Sequence, residues 1–226
     1  NGANFETLYS LPLENRGAFP EDSPILYSDG LYYGVISGGG LFSSGVLYAY
    51  DLESNKYDVK LDFSIDLGQF PFGQLVTDDT FLYGTTPATS QRTGTLYRFD
   101  PITQTHTILH EFSVTGNQLI SNLVFSNNVL YGTSNTAGSN NDGFLWSYDL
   151  ASDAFNILYE LDRTVDGNFP SALVAVADDI IYGIMTFNGP SGAGNLFSFN
   201  TSTNTYQVLT SFSSGSSGNA NGQPNA

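Results

Sequence analysis

The chain has 226 residues, and its 22 acidic against six basic side chains give a formal net charge of −16. Such a charge repels phosphates and anionic lipids, and no apolar run approaches the roughly 18 residues of a membrane span, which argues against nucleic-acid partners and membrane insertion. Cysteine is absent, which excludes a disulfide framework and a thiolate metal site, while 24 glycines and 14% aromatic residues are typical of strands and turns.

The first predicted element is a strand over residues 4–11. Its residues 5–11, FETLYSL, match four later strands. Those later strands, called D strands below, read YDVKLDF, HTILHEF, FNILYEL and YQVLTSF. Each of the four closes one copy of a unit that recurs about every 50 residues, and such a period indicates a tandem-repeat architecture.

Two markers define the repeat. The dipeptide Tyr-Gly recurs at intervals of 50, 48 and 51 residues, and a glycine that opens an aromatic-rich strand recurs at intervals of 49, 49 and 51. The Tyr-Gly pairs are Tyr33-Gly34, Tyr83-Gly84, Tyr131-Gly132 and Tyr182-Gly183. The strand-opening glycines are Gly45, Gly94, Gly143 and Gly194.

Each unit is predicted to contain four short strands, A to D. In the third unit they cover residues 122–126, 129–133, 143–149 and 155–161. Residue types that tolerate a positive φ join A to B, and an Asp or Asn that can bond the amides ahead of it begins each C–D turn. The A–B turns contain Asp29-Gly30, Asp78-Asp79, Asn127-Asn128 and Asp178-Asp179. The C–D turns begin at Asp51, Asp100, Asp149 and Asn200.

Strand C carries large apolar residues on both faces. One face presents the aromatic residues Tyr48, Tyr97, Trp146 and Phe197, followed by Tyr50, Phe99, Tyr148 and Phe199. The other face presents Leu47, Leu96, Leu145 and Leu196. A sheet that is apolar on both faces must be covered on both, and similar sheets arranged around an axis cover one another. The sequence therefore predicts an all-β, four-bladed β-propeller of four-stranded antiparallel blades, with an open β-solenoid or part of a larger propeller as alternatives.

Three D–A connections contain the sequence Gly-x-Phe-Pro, at residues 17–20, 68–71 and 167–170, which we interpret as rigid turns between blades. The predicted propeller domain spans residues 1–212. Residues 213–226 are almost wholly Ser, Gly, Asn, Gln, Pro and Ala, a composition typical of a linker or tail.

Residues 4–11 add a fifth D-type strand to the four units. Either one blade has five strands, or one strand is available to pair with another molecule, because an unpaired edge is a template for strand addition. Phe5, Leu8 and Leu11 are therefore candidate assembly residues. Self-association through this strand, or through the C-terminal tail, is one hypothesis for a partner.

The sequence contains no motif that is typical of a catalytic or metal site: it has no nucleophile elbow, phosphate-binding loop, zinc motif or EF-hand spacing. We therefore expect no catalytic residue, no cofactor and no metal. The two histidines, His106 and His110, lie four residues apart in one D strand, which predicts that both are on one face. Aromatic and aliphatic residues hold most of the equivalent positions in the other D strands, so we interpret both histidines as packing residues.

The B–C loops differ most between units, and loops on a rigid scaffold are where binding sites are usually found. The candidate ligand-binding residues in them are Phe42, Arg92, Asn141, Asp142 and Phe187.

The segments LYGTT and LYGTS, the glycine-rich loop, GTLYRFD, a D strand ending in HEF, and GNFP together resemble the GloVer-type tandem repeat. The resemblance covers about residues 5–212, and the Gly-Gly element of the family is intact only at residues 38–40. Membership would imply a secreted or cell-surface location in a bacterium, and it implies no reaction and no assigned binding residues.

These observations lead to two functional hypotheses. The first is a non-enzymatic extracellular structural or interaction module of a bacterial surface, assembling into a polymer by strand exchange or by docking of its tail. The alternative is a carbohydrate-binding propeller, in which aromatic loop residues stack on sugar faces while Asn and Asp bond hydroxyl groups. A third hypothesis is a hydrolase, or a propeller that positions a separate catalytic domain.

Overall fold

The structure is a computed structural model. It describes residues 7, 17–20, 22–87, 89, 93–112, 120–176 and 179–213. In this part of the chain there are seventeen β-strands in four sheets. No helix long and apolar enough to cross a membrane is found among the described residues. The predicted strand at residues 4–11, with Phe5, Leu8 and Leu11, lies outside the described residues, as do Arg92 and the tail beyond Ser213.

All strand pairs in the sheets are antiparallel, and within each sheet the strands follow one another in chain order. The first sheet contains β1 (Ala18–Pro20), β2 (Ile25–Leu26), β3 (Tyr32–Gly38), β4 (Val46–Asp51) and β5 (Lys56–Asp62). The second contains β6 (Phe72–Thr77), β7 (Leu82–Thr86), β8 (Thr95–Asp100) and β9 (Thr105–Glu111). The third contains β10 (Ile120–Ser126), β11 (Val129–Ser134), β12 (Phe144–Asp149) and β13 (Ala154–Glu160). The fourth contains β14 (Asn168–Val176), β15 (Ile180–Phe187), β16 (Gly192–Asn200) and β17 (Thr205–Ser213).

Each sheet is one copy of the predicted A-B-C-D unit. In the first sheet the A strand is present as two pieces, since β1 and β2 both pair with β3 at different positions along it. In the third sheet the predicted bounds agree with those of β10 to β13 to within two residues. The prediction of an all-β protein made of four four-stranded antiparallel blades is confirmed.

The chain divides into two compact units, each containing two blades. Unit 1 comprises residues 1–87 and 95–111, and unit 2 comprises residues 88–94 and 112–226. In unit 1 the leucine face of the first blade, with Leu47, packs on the aromatic face of the second, with Tyr97 and Phe99. In unit 2 Leu145 of the third blade packs in the same way on the aromatic face of the fourth. Within each unit, the prediction that apolar faces of successive blades cover one another is confirmed.

The Tyr-Gly marker is explained by the aromatic column of strand C. The glycine of strand B pairs directly with an aromatic residue of strand C, and the ring of that residue lies over the glycine Cα. A Cβ added to any of the four glycines would be less than 3.0 Å from the ring. The pairs are Gly34 with Tyr48, Gly84 with Tyr97, Gly132 with Trp146 and Gly183 with Phe197. A side chain at the glycine would therefore displace a ring from the core.

A β-bulge follows the leucine of strand C in every blade, where the pairing with strand D shifts register by one residue. In the second blade this places His106 opposite Phe99 and His110 opposite Leu96. Phe99 and Leu96 point to opposite faces of the sheet, so the two histidines do as well. The prediction that both histidines lie on one face is wrong, because the bulge interrupts the alternation of side chains between them.

His106 occupies the place of an aromatic packing residue. Its ring lies 5.1 Å from the ring of Tyr97 and 6.0 Å from that of Phe63. The other blades have an aromatic pair between strands C and D at the same position, for example Tyr48 with Tyr57 at 5.1 Å. Because the two histidines lie on opposite faces, they cannot share a metal ion. Burial lowers the pKa of His110.

The C–D turns form as the sequence predicts. The side-chain oxygen of each first residue accepts hydrogen bonds from the backbone N–H groups two and three residues ahead, for example Ile102 N at 2.8 Å and Thr103 N at 3.1 Å from Asp100. The same pattern holds at Asp51, Asp149 and Asn200. The A–B turns also have the expected positive φ, at Gly30, Asp79, Asn127, Asn128 and Asp179.

Candidate functional site

The B–C loops and the D–A connections lie at the same end of each blade, which we call the loop end. This follows from the antiparallel pairing of strands A and B, in which the start of β14 at Asn168 is opposite the end of β15 at Phe187. Eight of the fifteen large apolar side chains exposed in the described part of the chain belong to the loop ends, against two in the C–D turns. The eight are Phe19, Leu41, Phe42, Ile65, Phe70, Val165, Phe169 and Phe187.

In unit 1, Ser44 joins a B–C loop to the next D–A connection. The backbone N–H of Phe70 donates to the Ser44 carbonyl oxygen at 2.7 Å, and the Ser44 hydroxyl donates to the carbonyl oxygen of Phe42 at 3.1 Å. The backbones that carry Phe42 and Phe70 are thereby fixed side by side. Their side chains stay 61% and 40% exposed, so this part of the loop end offers apolar surface on a rigid support.

The phenylalanine of the Gly-x-Phe-Pro sequence has an unusual backbone conformation. Phe19, Phe70 and Phe169 have φ values of 66°, 57° and 55°, in the left-handed region. A bulky residue there is a steric outlier, and the following proline further restricts it. These rings are exposed by 73%, 40% and 38%, so burial in the core does not offset the strain. Repeated strain at exposed aromatic residues is a feature of functional positions.

The glycine of the same sequence is required by close packing. Gly17 has a φ of +102°, and a Cβ on it would be 3.0 Å from Ile36 and 3.1 Å from Val46. The sequence alone indicated rigid turns at these positions. It gave no signal that the phenylalanine side chain would be held outward, because Phe, unlike Gly, Asn or Asp, is not a residue type that indicates a positive φ.

In the fourth blade the loop end brings two of these aromatic residues together. The rings of Phe169 and Phe187 are 5.7 Å apart and nearly perpendicular, at 88°. Beside them, the side-chain amide of Asn188 donates to Oδ1 of Asn168 at 2.8 Å. Candidate residue Phe187 is therefore part of a compact group with Phe169, Asn168 and Asn188.

Two other candidates, Asn141 and Asp142, are used inside the third blade's loop. Asp142 is 5% exposed, and its carboxylate accepts from Nε of Arg163 at 2.6 Å and from the Arg163 backbone N–H at 2.9 Å. Oδ1 of Asn141 accepts from the backbone N–H of Ala137 at 3.2 Å, and its φ is 58°. Both side chains bond within the loop and to Arg163; Asp142 is buried, whereas Asn141, Phe42 and Phe187 are exposed.

A buried polar group lies beneath the loop end of the fourth blade. The Asp166 carboxylate is 2% exposed and accepts from the backbone N–H of Asp162 at 2.9 Å and from the Tyr159 hydroxyl at 3.2 Å. Burial raises the pKa of Asp166. Burial, reinforced by the Asp166 charge, raises the pKa of Tyr159 to about 12. The Asn195 amide donates to the Asp166 carbonyl oxygen at 2.7 Å, which ties this connection to strand C.

The described residues contain no group of three or more His, Asp or Glu side chains that could hold a metal ion. One shallow, open depression lies at the opposite end of unit 2 beside Tyr131 and Asp179, with a volume of about 10 Å³. It is smaller than the roughly 300–1,000 Å³ of typical ligand pockets. The strongest candidate site in the described residues is therefore the aromatic surface of the loop ends.

The fold is similar to that of known β-propeller proteins. TolB from Acinetobacter baumannii aligns over 85% of this chain and 44% of its own, at 17% identity and a TM-score of 0.56. A chain of a nidogen/laminin complex aligns over 83% of this chain and 63% of its own, at 13% identity and a TM-score of 0.59. Oligogalacturonate lyase from Vibrio parahaemolyticus aligns over 87% and 53%, at 12% identity and a TM-score of 0.56.

This chain spans less than two-thirds of each of those structures, and identities this low show the fold alone. No curated protein sequence matches it. The profile of the Gloeobacter/Verrucomicrobia repeat matches residues 1–128 and again residues 90–225, which confirms the resemblance noted in the sequence, and the chain belongs to this family of tandem repeats.

Proposed function

We propose that the protein is a non-catalytic, extracellular interaction module of a bacterial surface, and that it binds its partner through the loop ends of its blades. The observation that carries this proposal is the set of exposed aromatic side chains there, several of them held on a strained backbone. Strain opposes stability and exposed apolar surface opposes solubility, so their combination in three of the connections is best explained by a contact made outside the domain.

The composition supports an extracellular role. A charge of −16 keeps a chain with 14 tyrosines and 17 phenylalanines in solution without the help of a partner. The absence of cysteine makes the fold independent of the redox state of its surroundings.

The experiment combines location with binding. An epitope-tagged chain expressed in the organism that makes it is expected to be labelled by antibody on intact cells and removed by external protease. The purified wild-type chain is then compared with a Phe42→Ser, Phe70→Gly double variant for retention on washed cell envelopes. We expect the double variant to be washed off more readily than the wild type, because two of the exposed loop-end rings of unit 1 are removed.

An Ile102→Ser variant is the matched control. Ile102 is 85% exposed but lies in a C–D turn, away from the loop end. Its substitution removes a similar amount of exposed apolar surface and is expected to leave retention unchanged. Equal retention of the wild type and the double variant, or a tag inaccessible on intact cells, would contradict the proposal.

Self-association is a second candidate function, and the last strand supports it. β17 is nine residues long and, among the described strands, forms the edge of the fourth sheet, and its sequence TYQVLTSFS contains no charged residue and no proline. The D strands at the other sheet edges each carry a charge, among them Lys60 in β5 and Glu160 in β13. A long uncharged edge is a template for strand addition. The D-type segment at residues 4–11 of a second copy is the matching strand.

A further inference from the structure

We propose that Phe169, Phe187, Asn168 and Asn188 form a binding subsite for a neutral polysaccharide, here called the blade-4 subsite. This inference rests on the proposed function, since it names the ligand class for one loop end. It adds a specific site and a charge preference.

The two rings of the subsite supply an angled apolar platform. Phe187 is 55% exposed and Phe169 is 38% exposed, and the rings meet edge to face at 5.7 Å. Mutual contact restricts both rings, so little side-chain entropy remains to be lost when a ligand binds. The faces that stay open suit the flat C–H surface of a pyranose ring, for which aromatic side chains provide a rigid, amphipathic contact.

The exposed Asn188 supplies hydrogen-bonding groups at the edge of this platform, and the buried Asn168 holds it in place. Asn168 and Phe187 are cross-strand partners, and Phe169 and Asn188 are their chain neighbours, so each ring is adjacent to an amide. The single bond from Asn188 to Asn168 uses one donor group and one acceptor of the pair. The bond to Asn168 is donated by Nδ2 of Asn188, so Oδ1 of this exposed side chain can accept a hydrogen bond from a sugar hydroxyl.

The backbone is arranged to present these groups. Phe169 has a φ of 55° and Asn188 a φ of 58°, both left-handed, and the Gly194 N–H donates to the Asn188 carbonyl oxygen at 2.9 Å. Asn adopts this conformation readily, whereas a phenylalanine there is strained. A glycine at residue 169 would relieve this strain but would lose the ring contact with Phe187. Phenylalanine is thus present at residue 169 despite the backbone strain, and a contact between its ring and a ligand explains why.

The charge distribution selects a neutral ligand. Arg163, whose carbonyl oxygen accepts from the Gly189 N–H beside the subsite, is engaged through its side chain with Asp142 at 2.6 Å, and the chain as a whole carries −16. An acidic polysaccharide would find no counter-charge and would be repelled. A protein partner is less well matched, because two rings and two amides in one hairpin form a small contact compared with the roughly 800 Å² that each partner buries in a stable protein interface.

Affinity electrophoresis tests the proposal directly. The full chain is run in native gels that contain hydroxyethyl cellulose, xylan, laminarin or polygalacturonate, beside a gel without polysaccharide. We expect at least one neutral polymer to retard the wild type, and polygalacturonate not to. Phe169→Gly and Phe187→Ser should each weaken the apparent affinity about tenfold or more. Phe187→Tyr, which keeps a ring, should retain binding.

Phe169→Gly keeps the result interpretable, since glycine relieves the left-handed strain and a cooperative urea transition shows that the variant is folded. The inference is overturned if no neutral polymer retards the chain, if the two variants migrate like the wild type, or if polygalacturonate retards it equally. Retention on cell envelopes that depends on Phe42 and Phe70, without any retardation by the neutral polymers, would overturn the glycan inference and leave the proposed function standing.

Discussion

The indole ring of Trp146 lies directly over Gly132, its cross-strand partner, at a distance that leaves no room for a Cβ. Trp146 is fully buried and also contacts Phe112, with ring centroids 5.4 Å apart, and Phe155, at 5.8 Å. This glycine and ring pair recurs in every blade with Tyr, Trp or Phe as the ring. The glycine of the Tyr-Gly marker therefore recurs in the sequence because the aromatic ring of strand C needs that space in the core of every blade.

Gly132→Ala should destabilise unit 2 by about 1–3 kcal/mol, because the added methyl group must displace the Trp146 ring from a packed site. Trp146 is the only tryptophan, so its fluorescence reports the displacement, and we expect a red shift together with a lower urea midpoint. A double variant with Trp146→Leu should lose less stability than the sum of the two single variants, since the clash is then absent. Additive losses would show that the ring does not limit residue 132.

Gln104→Gly should stabilise the protein by about 0.5–1 kcal/mol. Gln104 ends the second C–D turn with a φ of 55°, and residues that tolerate this conformation better, Asn55, Asp153 and Asn204, hold the equivalent positions in the other turns. Left-handed backbone is strained for a residue with a long side chain and free of strain for glycine. Thermal unfolding of the wild type, Gln104→Gly and Gln104→Asn should give midpoints that rise in both variants. A fall in both would contradict the role of φ at this turn.

Acid should destabilise the protein through its C–D turns. Hydrogen bonds from Ser54, Thr103 and Ser152 hold the pKa values of Asp51, Asp100 and Asp149, respectively, below the ordinary 3.8. A lowered pKa in the folded state means that the ionised form stabilises the fold. That contribution is complete above about pH 4 and is lost as the pH falls through the lowered values.

The fourth turn provides the control for this pH dependence. Asn200 makes the same two backbone bonds without a charge, to Ser202 N at 3.0 Å and Thr203 N at 2.9 Å. A variant with Asn at residues 51, 100 and 149 should therefore fold with intact turns. We expect its urea midpoint to change less between pH 5 and pH 3 than that of the wild type. Parallel pH curves for the two proteins would place the acid sensitivity elsewhere.

The repeat made much of the fold predictable. Strand order, the A–B and C–D turns and the two apolar faces of strand C all depend on local residue type and on spacing, which the sequence shows directly. The side-chain faces of strand D were not predictable in the same way. The bulge after Leu96 adds one residue to the pairing, so the i, i+4 rule failed for His106 and His110.

The candidate site was predictable only in part. Phe42 and Phe187 were recognised because aromatic residues in variable loops are visible in the sequence, and the structure leaves both exposed. Asn141 and Asp142 belong to the same kind of loop, but their side chains bond to the adjoining backbone and to Arg163. The strained Phe169 was missed, because Gly-x-Phe-Pro has the composition of an ordinary turn. The positive φ of Phe169 and the exposure of its ring become visible only in the structure.

The edge of β17 predicts concentration-dependent association. If residues 4–11 of a second copy add to this edge, the wild type should form larger species in sedimentation velocity as its concentration rises. Gln207 and Leu209 are exposed on β17, and replacing both with Lys places charge on an edge that has none. We expect this variant, and a chain that lacks residues 1–11, to sediment as monomers.

The control for this prediction carries the same change in net charge at another place. Leu52→Lys with Ile102→Lys modifies two exposed residues of the C–D turns and should associate like the wild type. If this control also became monomeric, reduced apolar exposure or altered net charge would account for the result, and strand addition would not. If the wild type remained monomeric at every concentration, self-association through the edge of β17 would be excluded. The proposed binding through the loop ends would be unaffected.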